Sequence, residues 1–80
     1  MEHELKIYPK YLDDVLSGIK TFEVRKNDRR FLVGDTLVLK EWDNIKYSGR
    51  EVRATVVYML DDKFFGLTPG YVVLGIKLVN

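Results

Sequence analysis

The densest concentration of chemically capable side chains is the segment Gly18-Ile19-Lys20-Thr21-Phe22-Glu23-Val24-Arg25-Lys26-Asn27-Asp28-Arg29. Lys20 to Lys26 reads as a strand, so alternation puts Thr21, Glu23 and Arg25 on one face and Phe22 and Val24 on the other. Glu23 and Arg25 then stand about 7 Å apart at Cα, close enough for their side chains to meet. An arginine fork fits a phosphate or the edge of a base. A neighbouring carboxylate can hold that fork or accept a hydrogen bond from an exocyclic amine. If the chemistry is catalytic instead, Lys20 and Glu23 are the acid–base or nucleophile candidates. The plain alternative is an exposed salt-bridged strand face, contributing about 0–1 kcal/mol.

The elements that must position these residues are short. Leu5-Lys6-Ile7-Tyr8 alternates apolar and polar and reads as a strand, which Pro9 ends. Proline suits the first turn of a helix, where its missing N–H has no partner anyway. Lys10 to Ser17 has helical spacing, with Leu12, Val15, Leu16 and Ile19 on one face. Asp13 and Asp14 are expected near the positive end of the helix dipole, and Gly18 to close the C-terminus in the left-handed conformation. After the Lys20–Lys26 strand comes the polar turn Asn27-Asp28-Arg29-Arg30. Apolar Phe31-Leu32-Val33 follows, then a Gly34-Asp35 turn. Thr36 to Trp42 is a strand. Asp43-Asn44 starts a turn or wide loop, and Ser48-Gly49 signals a tight hairpin. Glu51 to Leu60 is the longest strand, with Val52, Ala54, Val56, Tyr58 and Leu60 sharing a face. Asp61 to Gly70 is a loop with one helical turn around Phe64 and Phe65, and Tyr71 to Val79 is the last strand.

Five or six strands with one helix after the first make an α+β, mainly β domain, best satisfied by a small closed or half-closed barrel. The 80 residues form a single domain, 1–80. A chain of this length buries only about 60–65% of its unfolded surface. With no cysteine, disulfides, thiolate metal sites and cysteine catalysis are excluded. The 13 basic and 12 acidic residues nearly cancel, so any nucleic-acid contact must come from a local patch. No apolar run approaches the ~20 residues that span a bilayer, and the polar start Met1-Glu2-His3-Glu4 is no signal peptide. A cytoplasmic location without membrane attachment is therefore expected.

The pattern Gly18-x-Lys20-x-x-Glu23-x-Arg25 resembles the signature of the ASCH domain, a relative of the PUA domain. The wider string is similar to a compact bacterial and phage ASCH-like subgroup of uncharacterised proteins. It takes in His3-x-Leu5-Lys6, the Gly18–Arg29 segment, Val33-Gly34-Asp35 and Leu39-x-Glu41-Trp42. The resemblance runs from about His3 to Leu78. It implies a PUA-like β-barrel with a cleft beside the helix, lined by Lys20, Glu23 and Arg25, and RNA as ligand. His3, Lys6, Asn27 and Trp42 belong to the subgroup's string and are further ligand-binding candidates. Some ASCH-like proteins are amidohydrolases on acetylated cytidine, using the signature lysine, a threonine nucleophile and a glutamate from a later helical segment. This chain departs from that pattern. Glu23 stands where the threonine is expected, Thr21 is one position out of register, and the later segment is reduced to Asp61–Gly70.

The expected function is an RNA- or nucleoside-binding module built on Lys20, Glu23, Arg25, Lys6, Asn27 and Trp42, with Lys26, Arg29 and Arg30 as a basic rim. The alternatives are a small amidohydrolase-like enzyme on a modified nucleoside and a protein-interaction domain whose salt bridges are structural. No cofactor or metal is expected: His3 is the lone histidine and has no second ligand at metal spacing. Trp42 would stack on a base or pack partly buried. The five tyrosines read as packing residues with polar tips.

Overall fold

A computed structural model describes residues 1–64 and 66–79. The chain runs β1 (Glu2–Ile7), α1 (Pro9–Leu16), β2 (Phe22–Lys26), β3 (Thr36–Trp42), β4 (Tyr47–Leu60) and β5 (Tyr71–Leu78). The five strands form one curled sheet in the order β1-β3-β4-β5-β2. The β1–β3 pair is parallel; the other three pairs are antiparallel. Parallel neighbours require a crossover, and here it carries α1 and β2.

The 14-residue β4 makes the curl. Its first part, from Tyr47 to Thr55, pairs with β3, and its second half, from Ala54 to Leu60, pairs with β5. Register shifts at Lys40/Trp42 and Val56/Tyr58 bend the ladder on both sides, as an extra residue on one strand does. Inside the curl lie Leu5 and Ile7, Leu12 and Val15 of α1, Phe31, Leu37, Leu39, Ala54, Val56, Val72, Leu74 and Ile76. Gly75 lets the bulge approach: a Cβ there would stand 3.1 Å from the Tyr58 Cβ.

The barrel is not closed by a ladder. β1 and β2 are the two ends of the sheet, and no backbone pairing joins them. The result is a half-barrel with a seam.

Several expectations are corrected. Ser48-Gly49 is not a hairpin turn but lies inside β4. The reversal falls at Asp43–Lys46, where the Asp43 carboxylate accepts the Ile45 and Lys46 N–H groups and Asn44 takes φ 79°. Tyr58 is exposed, because the bulge breaks the alternation and Met59 packs on the core instead. Leu16 and Ile19 are also exposed: α1 ends at Leu16, before Ile19 can join its face. Asp13 and Asp14 lie in the second turn, not the first; Asp14 pairs with Lys10, and Asp13 reaches Arg50. All five tyrosines are exposed, not packed inward. The expected helical turn around Phe64 and Phe65 falls partly on Phe65, outside the described residues.

One polar cluster is built into the core. His3, 5% exposed, donates Nε2–H to Asp35 Oδ2 at 2.8 Å and meets the Phe31 ring edge-on at 4.7 Å. Asp35 also accepts the Leu32 N–H and the N-terminal ammonium. The His3 hydrogen bond, helped by these two donors, holds the Asp35 carboxyl below its usual range despite burial. His3 is thereby engaged within the core, and it does not line the hollows along the seam.

Candidate functional site

The candidate site is the seam between β1 and β2. Thr21 accepts a hydrogen bond from the Ile76 N–H, so the next carbonyl along the strand, that of Phe22, faces away from β5. Across the seam, β1 has its ladder on the β3 side only. Edge carbonyls left this way need partners, and two of them receive a cation. Lys20 Nζ donates to the Phe22 carbonyl at 2.6 Å, and Arg25 Nη2 donates to the Lys6 carbonyl at 2.7 Å.

The same two cations meet on Glu23, whose side chain is 5% exposed. Lys20 Nζ donates to Oε1 at 2.6 Å; Arg25 donates to Oε2 through Nε at 3.1 Å and Nη2 at 3.0 Å. The salt-bridged strand face is therefore turned inward. Phe22 and Val24, the apolar face of β2, are the exposed ones, at 45% and 49%. Burying one carboxylate is tolerable because both oxygens are held by charge-assisted bonds. Among the described residues no buried side-chain polar atom lacks a partner.

Local structure delivers these groups. Gly18, at φ 82°, reverses the chain after α1, and the Ile19 and Lys20 N–H groups both bond to the Asp14 carbonyl. That left-handed turn, which favours glycine, swings Lys20 from the helix end to the seam. Arg50 bonds to Asp13 of α1 and to Glu41 of β3, pinning the helix over the sheet. The Arg50 bond keeps the Glu41 carboxyl low, and the two carboxylates raise Arg50. Tyr8 is tied at the rim by its hydroxyl, which donates to Asn44 Oδ1 at 3.0 Å.

The resulting cleft holds about 600 Å³, within the roughly 300–1,000 Å³ typical of small-molecule sites. Lys20, Glu23 and Arg25 line it, with Tyr8, Tyr11 and Phe22 as half-exposed aromatic walls. Lys20 Nζ sits 5.1 Å from the Phe22 ring centroid and 5.7 Å from that of Tyr11. Two smaller hollows adjoin. One, of about 280 Å³, includes Tyr8 and Trp42. The other, of about 320 Å³, includes Arg29, Lys40 and Tyr47. Lys6 and Arg25 line all three. Trp42 packs on Tyr47 with centroids 4.9 Å apart and carries the Lys6 ammonium 4.1 Å from its own ring centroid. It is thus half-buried and beside the site at once.

A family profile described as a domain of unknown function, DUF3850, matches residues 2–76. The chain belongs to that family. An uncharacterized 12.9 kDa protein in the GpA 3′ region of Escherichia phage P2 is 46% identical over 59 residues, 74% of this chain and 54% of the phage protein. The DUF3850 chain thus spans about half the length of the curated relative it matches. The crystal structure of hypothetical protein PH0355 superposes with a TM-score of 0.72, covering 99% of this chain and 100% of that one. At 16% identity this is a likeness of fold.

Of the candidate residues, Lys20, Glu23, Arg25, Lys6 and Trp42 converge on the seam of the DUF3850 domain. Asn27 does not line the cleft or its hollows; its Oδ1 accepts the Phe31 N–H and closes the turn after β2. Of the proposed rim, Arg29 lines a hollow, while Lys26 and Arg30 line none. Thr21 does not line the cleft but an adjoining pocket, which it shares with Lys20, Ile76, Lys77 and Leu78. The walls Tyr8 and Tyr11 and the base Lys40 went unrecognised in the sequence, since nothing local marks a residue as facing a gap between distant strands. Among the described residues no group of three or more His, Cys, Asp or Glu could hold a metal ion, and no helix is long and apolar enough to cross a membrane.

Proposed function

We propose that this domain is a PUA-like module of the ASCH type that binds RNA or a nucleoside in the β1–β2 cleft. The observation that carries the reading is the clamp on Glu23. It fixes Arg25 through Nε and Nη2, and leaves Nη1 without a partner among the described residues. A guanidinium so fixed meets a ligand with its rotamers already ordered, which removes part of the entropy cost of binding. The aromatic walls suit a base: stacking on such a side chain contributes about 1–3 kcal/mol per base. The converging signature residues, the half-barrel and the cleft beside the helix agree with the ASCH resemblance. Catalysis after the acetylcytidine-amidohydrolase pattern is less well supported. Thr21 lies outside the cleft, and Lys20 is engaged by Glu23 and a carbonyl.

The test is titration of the labelled protein with ribonucleosides and short single-stranded RNA, followed by amide NMR and by the fluorescence of Trp42, the sole tryptophan. Saturable shifts at Tyr11, Lys20, Glu23 and Arg25 are expected, with a change in Trp42 emission. Absence of any shift at these residues with every ligand at low salt refutes nucleic-acid recognition and leaves a structural salt-bridge network.

A further inference from the structure

We infer that the ligand is a phosphorylated nucleoside, with its phosphate held in the hollow formed by Lys6, Arg25, Arg29 and Lys40 beside the base-binding cleft. The inference rests on the base-binding reading above and specifies what else the ligand must carry. Four cations line this hollow against one carboxylate, Glu4. Glu4 takes up Lys40 at 3.2 Å but is itself 64% exposed, so it competes weakly with an incoming anion. Neither Lys6 nor Arg29 has a carboxylate partner among the described residues; Lys6 is held instead over the Trp42 ring.

The geometry links this hollow to the cleft. Lys6 and Arg25 border both, and Arg25 reaches across the seam to the Lys6 carbonyl. A base among Tyr8, Tyr11 and Phe22 would therefore have its sugar at the Arg25 crossing and its phosphate among the four cations. This local excess of positive charge stands out in a chain whose net charge is only +1. It matches one or two phosphates, not a long polyanion.

The experiment compares calorimetric affinities for each ribonucleoside, its 3′- and 5′-monophosphates, a dinucleoside monophosphate and inorganic phosphate. It uses the wild-type chain and the Arg29→Ala/Lys40→Ala variant. We expect phosphorylation to tighten binding about tenfold or more, as charge-assisted bonds to phosphate do. The variant should lose that gain while keeping wild-type affinity for the nucleoside. Arg29→Gln alone, on an exposed turn, serves if the double variant does not fold. Preference for the dinucleoside points to RNA as the source, and preference for a monoester to a free nucleotide; either supports the phosphate site. Equal affinity for nucleoside and monophosphate overturns this inference and leaves base recognition standing. A phosphate preference that survives in the variant overturns the assigned location. Failure of all ligands to bind overturns both readings.

Discussion

Arg25 of β2 donates Nη2–H to the main-chain carbonyl of Lys6 in β1 at 2.7 Å, and so joins the two ends of the sheet where no backbone ladder does. Through Nε and the same Nη2 it also holds Glu23. One side chain thus fastens the half-barrel and furnishes its cleft.

Arg25→Lys is accordingly not conservative. A lysine cannot reach both oxygens with a fixed planar fork. Glu23 would keep Lys20 and lose its second partner, so we expect a loss of about 1–3 kcal/mol in urea denaturation and at least tenfold weaker ligand binding. Unchanged affinity with reduced stability would assign Arg25 a structural role only.

Glu23→Gln keeps the shape and removes the charge. It leaves two cations facing a neutral amide in a partly buried site, with side chains 16% and 23% exposed for Lys20 and Arg25. We expect a cost of about 2–4 kcal/mol. Glu23→Gln combined with Lys20→Met should recover part of it, measured as a double-mutant cycle.

Acid should weaken the fold through Asp35. Its folded carboxyl titrates below the reference value of 3.8. Its contribution is therefore complete above that reference and disappears as pH falls through the lower folded value. Glu41 and Asp43 are shifted in the same direction and add to the same slope. Asp35→Asn should lower stability at neutral pH and flatten, without abolishing, the fall in urea midpoint between about pH 5 and pH 2.

Lys6→Met should red- or blue-shift Trp42 emission, because it replaces the ammonium 4.1 Å from the ring centroid with a thioether. The stability cost should be about 0.5–1 kcal/mol, as for exposed cation–π pairs. An emission spectrum identical to wild type would mean that the contact is not maintained in solution.

Gly75→Ala tests the bulge. The added methyl would meet the Tyr58 Cβ at 3.1 Å, and overpacking of this kind costs about 1–3 kcal/mol. Wild-type stability in this variant would show that the Tyr58 bulge relaxes freely.

Much of the local structure was determined by the sequence itself. Pro9 opens α1 because it has no N–H to lose, and Gly18 ends it at φ 82° because a residue without Cβ enters the left-handed region without strain. Glu23 and Arg25, two residues apart on β2, share a face as alternation requires; Lys20, three residues before Glu23 and ahead of the start of β2 at Phe22, reaches it only through the turn at Gly18. Tertiary structure decided the rest. Alternation says which residues share a face, not which face is inside; only the curl of the sheet turned Glu23 inward and left Phe22 and Val24 exposed. Ser48-Gly49 has turn chemistry, yet it was absorbed into β4 once Asp43 closed the turn earlier with its own carboxylate. Tyr58 was moved out of its expected face by a bulge that depends on Gly75 in another strand. The cleft lies between strands 15 or more residues apart, and its walls exist only because β1 and β2 end up as unpaired edges of one curled sheet.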